Sequence, residues 1–295
     1  MGEFNDIVGR LQPRMLGVAY RMLGSLAEAE DVVQDVWLRW HDADQARVEN
    51  PEAWLITTTT RRAIDRLRLA RNDREQYVGI WLPEPFLTEG PETPEQLHET
   101  SSDLSIAFLT VLERLSPDAR AAFLLHEVFD IDYPAIAEAI GKSEAACRQI
   151  VHRAKHQLME DRKRYAVSAE AHRSLMQRFA EALATGELKA ITRLLSESAV
   201  LIGDGGGVAT SFPEPMVGGE RIGQLLFAPT LRPENHVRID VATINGQPGL
   251  LRYMHDELES ALSFVTDGER ILRIFVQRNP EKLRSIAAQR AIDVR

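Results

Sequence analysis

A single cysteine, Cys147, stands in 295 residues, so no intrachain disulfide can form and a cysteine-based zinc site lacks ligands. No apolar run comes near the roughly 20 residues that a membrane-crossing helix needs. The opening MGEFNDIVGR carries acids and no apolar stretch, and reads as having no export leader. Positive charge is short as well: 35 Lys and Arg face 44 Asp and Glu, a formal charge of −9. Such a chain is not built to coat nucleic acid over its whole surface. Together these absences predict a cytoplasmic protein. Its hydrophobic content of 44% is enough for buried cores in two or three domains.

What positive charge there is gathers locally. Between Thr57 and Arg74, Arg61, Arg62, Arg66, Arg68, Arg71 and Arg74 oppose only Asp65 and Asp73. The run Thr57 to Thr60 alone suggests a strand, but Asn50 is a good N-cap and Pro51 suits a first helical position, so the stretch reads as helix. Its arginines fit a phosphate-facing surface, or ordinary pairs along a charged helix such as Arg61 with Asp65. Upstream, Ser25 and Glu28 form a capping box. In the helix that follows, Val33, Val36, Trp37 and Trp40 share a core face, while Asp31, Gln34, Asp35 and Leu38 share another that reads as solvated.

From Glu75 to Ser105 there is no Lys or Arg, and seven acids and four prolines mark a linker. Within it, Ile80, Trp81, Leu82 and Phe86 form an apolar patch that is costly in water, so the patch is expected to dock on a domain. Beyond the linker the pattern is helical again. Ser116 and Pro117 open one helix. A short helix near Pro134 to Ile140 ends at Gly141, and another begins after Ser143, the arrangement of a helix-turn-helix or of a helical hairpin that mimics one. In a helix-turn-helix, Ser143, Glu144, Ala145, Arg148 and Gln149 face base edges, and His152, Arg153 and Lys155 continue toward phosphates.

The stretches AEDVVQDVWLRW, AWLITTTTRRAIDRLR and LSPDARAAFLLHEVFDIDYPAIAEAIGKSEAACRQIVHRAKHQL resemble regions 2 and 4 of extracytoplasmic-function sigma factors, over roughly residues 1–165. The chain also resembles a subgroup with a C-terminal SnoaL-like domain, through Trp81-Leu82-Pro83-Glu84-Pro85, Asp204-Gly205-Gly206-Gly207 and Asn279-Pro280-Glu281-Lys282-Leu283. The resemblance implies two all-α domains followed by an α+β cone: region 2 over residues 1–75, a linker over 76–100, region 4 over 101–166 and the cone over 167–295. It implies that Asp31, Gln34, Asp35 and Leu38 bind the β′ clamp helices of core RNA polymerase. Arg61, Arg62, Asp65, Arg66, Arg68 and Arg71 would engage the −10 promoter element, and the helix after Ser143 the −35 element. Many members carry Asn where this chain has Arg61.

The last third reads as two helices split at Gly186, a strand, and strand-like runs VRIDVATI, GLLRYMH and SALSFVTDGERILRIFVQ. SnoaL-like proteins include enzymes, and Asp204, His236, Asp240 and His255 are the acid–base groups at hand, though no paired constellation is readable. The Asp204 to Gly207 motif fits a turn or a contact. Two classes of function result: a promoter-specificity subunit regulated in cis by its cone, or an enzyme or small-molecule sensor tethered to DNA-binding helices. The acidic stripe favours the first, with no cofactor or metal. In that class Trp81, Leu82, Pro83, Asp204, Gly205, Gly206, Gly207, Asn279, Pro280, Lys282 and Leu283 lie where the cone meets the linker and the first domain.

Overall fold

A computed structural model describes residues 2–88, 103–162, 167–232 and 236–293. Linker residues 89–100, and the expected boundary near 163–166, lie outside the described residues. The chain divides into two compact units. One joins residues 1–76 to 111–161, and the other joins 77–110 to 162–295. This grouping differs from the four-part division expected, because the linker's apolar residues are buried with the cone and the two helical modules share side-chain contacts.

The first unit is all helix. Its elements are α1 (Gly2–Leu23), α2 (Leu26–Asp42), α3 (Pro51–Glu75), α5 (Pro117–Glu127), α6 (Tyr133–Ile140) and α7 (Glu144–Arg162), with α4 (Ile106–Leu112) spanning the unit boundary. Side-chain caps set the starts: Ser25 accepts from the Glu28 amide, Asn50 from Ala53, Ser116 from Ala119, Asp132 from Ala135 and Ser143 from Ala146. The threonine run is helical, and the buried Thr59 and Thr60 hydroxyls are satisfied by donating at 2.8 Å to the carbonyl four residues back. Val33, Val36 and Trp40 are buried as the periodicity predicts, and Trp40 meets Trp54 at a tilt of 55° with ring centroids 5.1 Å apart. Trp37 is only half-buried.

The second unit is built on a six-stranded sheet: β1 (Leu195–Asp204), β2 (Met216–Val217), β3 (Arg238–Ile244), β4 (Gln247–Met254), β5 (Glu257–Thr266) and β6 (Ile271–Gln277). The strand order is β2-β1-β6-β5-β4-β3, with β1 and β6 parallel and the other pairs antiparallel. The helices α8 (Ala169–Thr185), α9 (Leu188–Leu194) and α10 (Gly219–Phe227) bury one core with the sheet, in which Phe179 meets Phe264 edge-on at 5.8 Å. A second apolar cluster unites the sheet with α11 (Pro280–Asp293) and the linker residue Leu87. A third joins Ile80 and Leu82 to Ile202, Val265 and Phe275. The linker also extends edge strand β3: Leu87 bridges Ile244, and the Thr88 amide donates to the Thr243 carbonyl at 3.0 Å.

Candidate nucleic-acid interface

On α2, Asp31, Gln34 and Leu38 are exposed, and Asp35 is half-buried. Leu38, at 62% exposure, is a large apolar side chain left in water beside carboxylates. The acidic stripe and the basic helix pair with each other along one surface. Arg62 on α3 lies 2.6 Å from Asp35, and Arg39 lies 3.1 Å from the same carboxylate. Partial burial works to raise the Asp35 pKa, but Arg39 and Arg62 outweigh it and hold the carboxyl below its usual range. Arg66 pairs with Glu28 at 3.1 Å and reaches within 3.9 Å of Asp31. Asp65 lies 3.6 Å from Arg68 and 3.9 Å from Arg62. Arg61 does not pair with Asp65; it donates to the carbonyls of Glu138 and Ala139. The side chain of Arg71 lies outside those described.

The helix-turn-helix is formed by α6 and α7. Gly141 ends α6 at φ 67°, the left-handed conformation that glycine adopts freely. Along α7 the buried side is Cys147, Val151, Ala154 and Leu158, a packed seam on which the thiol is a small core group. Ser143, Glu144, Ala145, Arg148, Gln149, His152 and Arg153 are all exposed. The Arg148 guanidinium is held from two sides, 3.1 Å from Glu144 and 4.9 Å from the centroid of the Tyr133 ring.

The three quoted motifs of the second unit converge on one carboxylate. Asp204, at the end of β1, is fully buried. Its Oδ1 accepts from the Tyr77 hydroxyl at 2.6 Å and the Gly206 amide at 3.0 Å. Its Oδ2 accepts from the Leu82 amide at 2.9 Å, Gln277 Nε2 at 3.2 Å and Lys282 Nζ at 2.7 Å. Lys282 also donates to the Leu82 carbonyl at 2.7 Å, and its ammonium sits 4.2 Å from the Trp81 ring centroid. Asn279 donates to the Tyr77 oxygen at 2.9 Å and caps α11 by accepting from the Glu281 amide at 3.0 Å. Burial, with Asp204 beside it, pushes the Tyr77 pKa up, so the phenol stays a proton donor. The Pro83 carbonyl accepts from Gln277 at 3.4 Å, and Leu283 is buried in the cluster that holds Leu87. Glycines are required here: a Cβ on Gly205 would lie 2.0 Å from the Ala209 carbonyl oxygen, and one on Gly206 would lie 2.4 Å from the Asn279 side chain. A Cβ on Gly207 would lie 3.1 Å from the Val78 side chain. Pro280 is exposed and serves as the first residue of α11.

Tyr77, Gln277 and Asn245 belong to this linker dock and were not singled out from the sequence. Asn245, in a tight turn at φ 51°, accepts from the Phe86 amide at 3.2 Å and donates to the Leu104 carbonyl at 3.1 Å. The acid–base groups do not assemble. Asp204 is saturated by donors, Asp240 pairs with Arg238, and His236 and His255 meet each other at the surface. A cavity between α8 and the sheet, lined by Leu183, Leu226, Leu250, Arg252 and Leu262, holds about 10 Å³, room for about one water. Among the described residues no group of His, Cys, Asp and Glu could hold a metal ion, and no helix is long and apolar enough to cross a membrane.

Comparison with known proteins adds the following. Residues 7–73 match the family model for sigma-70 region 2, and residues 105–158 match that for sigma-70 region 4. The chain is 35% identical over 252 residues to the ECF RNA polymerase sigma factor SigJ of Mycobacterium tuberculosis, covering 81% of this chain and 78% of that protein. It is 27% identical over 277 residues to the probable ECF RNA polymerase sigma factor SigI of the same species, covering 93% of each. The crystal structure of M. tuberculosis SigJ superposes with a TM-score of 0.74 at 29% identity, over 96% of this chain and 98% of that one.

Proposed function

The chain belongs to the ECF RNA polymerase sigma factors, and we propose from this that it carries core polymerase to promoters bearing both a −10 and a −35 element, with its C-terminal unit regulating that act in cis. It is a transcription-initiation subunit, and its partners are core polymerase and promoter DNA. The observation that carries the promoter reading is the exposed stripe from Ser143 to Arg153 opposite the buried seam of α7, a helix free to enter a major groove. Arg148, braced by Glu144 and Tyr133, is the side chain best placed for a two-pronged contact to guanine. Asp31, Gln34, Asp35 and Leu38 suit the β′ clamp helices, since carboxylates around an exposed leucine complement a basic helical surface with apolar gaps. The α3 arginines suit the −10 element. The Asp204 centre is the regulatory contact: it ties Trp81, Leu82 and Pro83 of the linker to Asn279, Lys282 and Leu283 at the start of α11.

In-vitro transcription with purified core polymerase tests the reading. The full chain is expected to start transcripts at discrete promoters. Arg148→Ala should lower that output by roughly 10- to 100-fold, the cost of one bidentate base contact, while co-purification with core polymerase is unchanged. Asp31→Lys with Asp35→Lys should do the reverse and abolish co-purification. Absence of any promoter-specific transcript from the full chain with core enzyme would overturn the proposal.

A further inference from the structure

The first unit holds a cavity large enough for a small molecule, and we infer that it is a binding site for a neutral, one-ring aromatic alcohol. The cavity measures about 180 Å³. Ile56 of α3, Leu125 of α5, Ile131 beyond it, and Ala135 and Ala139 of α6 form its apolar walls. Its origin is readable in the side chains. Ala135 and Ala139 are four residues apart and so share one face of α6. A wall of single methyl groups leaves open the space that longer side chains would fill. An apolar cavity of about 150 Å³ stays dry and takes up benzene, so this one has room for a benzene ring and one substituent. The cone offers no such room, its cavity being about 10 Å³.

One polar group in the wall lacks a partner. Thr57 lines the cavity and is 8% exposed. Thr59 and Thr60 donate to the carbonyls four residues back, but the Thr57 hydroxyl makes no hydrogen bond among the described residues. A hydroxyl withdrawn from water and left unpaired is costly, and a ligand that pairs with it offsets that cost. Exposed Asn50 and half-buried Glu52 mark the mouth. Asn50 accepts from the Ala53 amide at 3.1 Å through Oδ1, which leaves Nδ2 as a donor at the rim. Glu52 is paired with Arg14, which also donates to the Phe129 carbonyl at 3.0 Å.

These groups define the ligand. The walls select a compact apolar body. The Thr57 hydroxyl and the Asn50 amide call for one hydroxyl on it, which can both accept and donate. The charges at the mouth already satisfy each other, so an ion entering the cavity would lose water without gaining a partner. A bound ring touches α3 on one side and α5 and α6 on the other, and so stabilises the folded first unit by mass action. None of the lining residues belongs to the sets proposed above for polymerase or DNA, so the site is a further one.

The test titrates the full chain, methyl-labelled at Ile, Leu and Val, with phenol and with toluene, followed by NMR. In the wild-type chain both probes should shift the Ile56, Leu125 and Ile131 methyl signals saturably. Thr57→Val keeps the shape of the wall and removes the hydroxyl. It should weaken phenol by about 2- to 10-fold, the net worth of one hydrogen bond, and leave toluene unweakened. Ala135→Leu fills the space and should abolish the response to both. Shifts in the wild-type chain that stay linear in probe concentration, or that are no larger at these residues than at Leu250 and Leu262 in the core of the second unit, would overturn the site. Phenol binding that Thr57→Val leaves unchanged, or lowers no more than toluene binding, would overturn the assignment of an alcohol.

Discussion

Single side chains with unusual surroundings give the sharpest expectations. His172 on α8 is 8% exposed, and its Nε2 has no partner among the described residues. Burial pushes its pKa down to about 4. The unfolded chain takes up the proton near pH 6.5. Between those values the unfolded state binds more protons than the folded one, so stability falls as the pH drops through that window. From pH 7 to pH 5 the second unit should lose about 2 kcal/mol through this group. His172→Leu should flatten that part of the profile, read by guanidinium unfolding at the two pH values. Asp204 is the opposite case, a buried charge with every lone pair engaged. Asp204→Ala removes the carboxylate partner of Lys282, whose side chain is 12% exposed and also donates to the Leu82 carbonyl. A loss of about 3–5 kcal/mol is expected, with partial recovery in Asp204→Ala/Lys282→Met, measured by thermal melting. Asp204 is legible through the resemblance, as the head of the Asp204 to Gly207 motif. Tyr77 is not, since a lone tyrosine at the start of a linker carries no spacing signal, and its role exists only once β1 and α11 are brought to it.

At the level of elements, the starts and stops of helices were legible because capping is local chemistry. Ser25, Asn50 and Ser116 cap the helices they were expected to open, Ser143 caps the helix expected to follow it, and Gly141 takes the left-handed turn. The strand-like runs of the last third correspond to β3 through β6. What was not legible is tertiary. Strand β2 is two residues long, too short for any period, and α10 was not read at all. The linker's pairing with the edge of β3 depends on unpaired β3 carbonyls that no linker residue announces. The glycines separate the two kinds of information. A methyl on Gly205 would meet backbone at 2.0 Å, whereas one on exposed Gly9 in α1 would meet nothing within 4 Å. Gly205→Ala should therefore cost at least about 2 kcal/mol, since backbone must move. Gly9→Ala should be neutral or gain up to about 1 kcal/mol from helix propensity. Parallel denaturant titrations of the two variants decide this, and similar midpoints would contradict the Gly205 assignment.

For the whole molecule, the decisive fact is that both flanks of the acidic connector are pinned to the second unit. Residues 77–88 are held by the Asp204 centre and the β3 edge, and the Leu104 carbonyl is held by the same Asn245 that accepts from Phe86. The free length available between the two DNA-reading modules is then less than the sequence between them provides. A shorter tether costs less closure entropy at its preferred span, but fewer spans satisfy it. The cone should therefore act as a ruler: the full chain accepts a narrow range of separations between the −10 and −35 elements, and a chain ending at residue 165 accepts a wider one. Deleting the cone also bares Ile80, Leu82 and Leu87, so the shortened chain should carry Ile80→Ser, Leu82→Ser and Leu87→Ser to stay dispersed. Templates made from a promoter mapped by transcript sequencing, with the spacer changed by about one or two base pairs each way, supply the measurement. The full chain should lose output steeply off the native spacing, the shortened chain shallowly, and Trp81→Ala should fall between them because it weakens one arm of the dock. Superimposable spacer profiles for all three would mean that the pinned connector does not set the reach of the DNA-bound state.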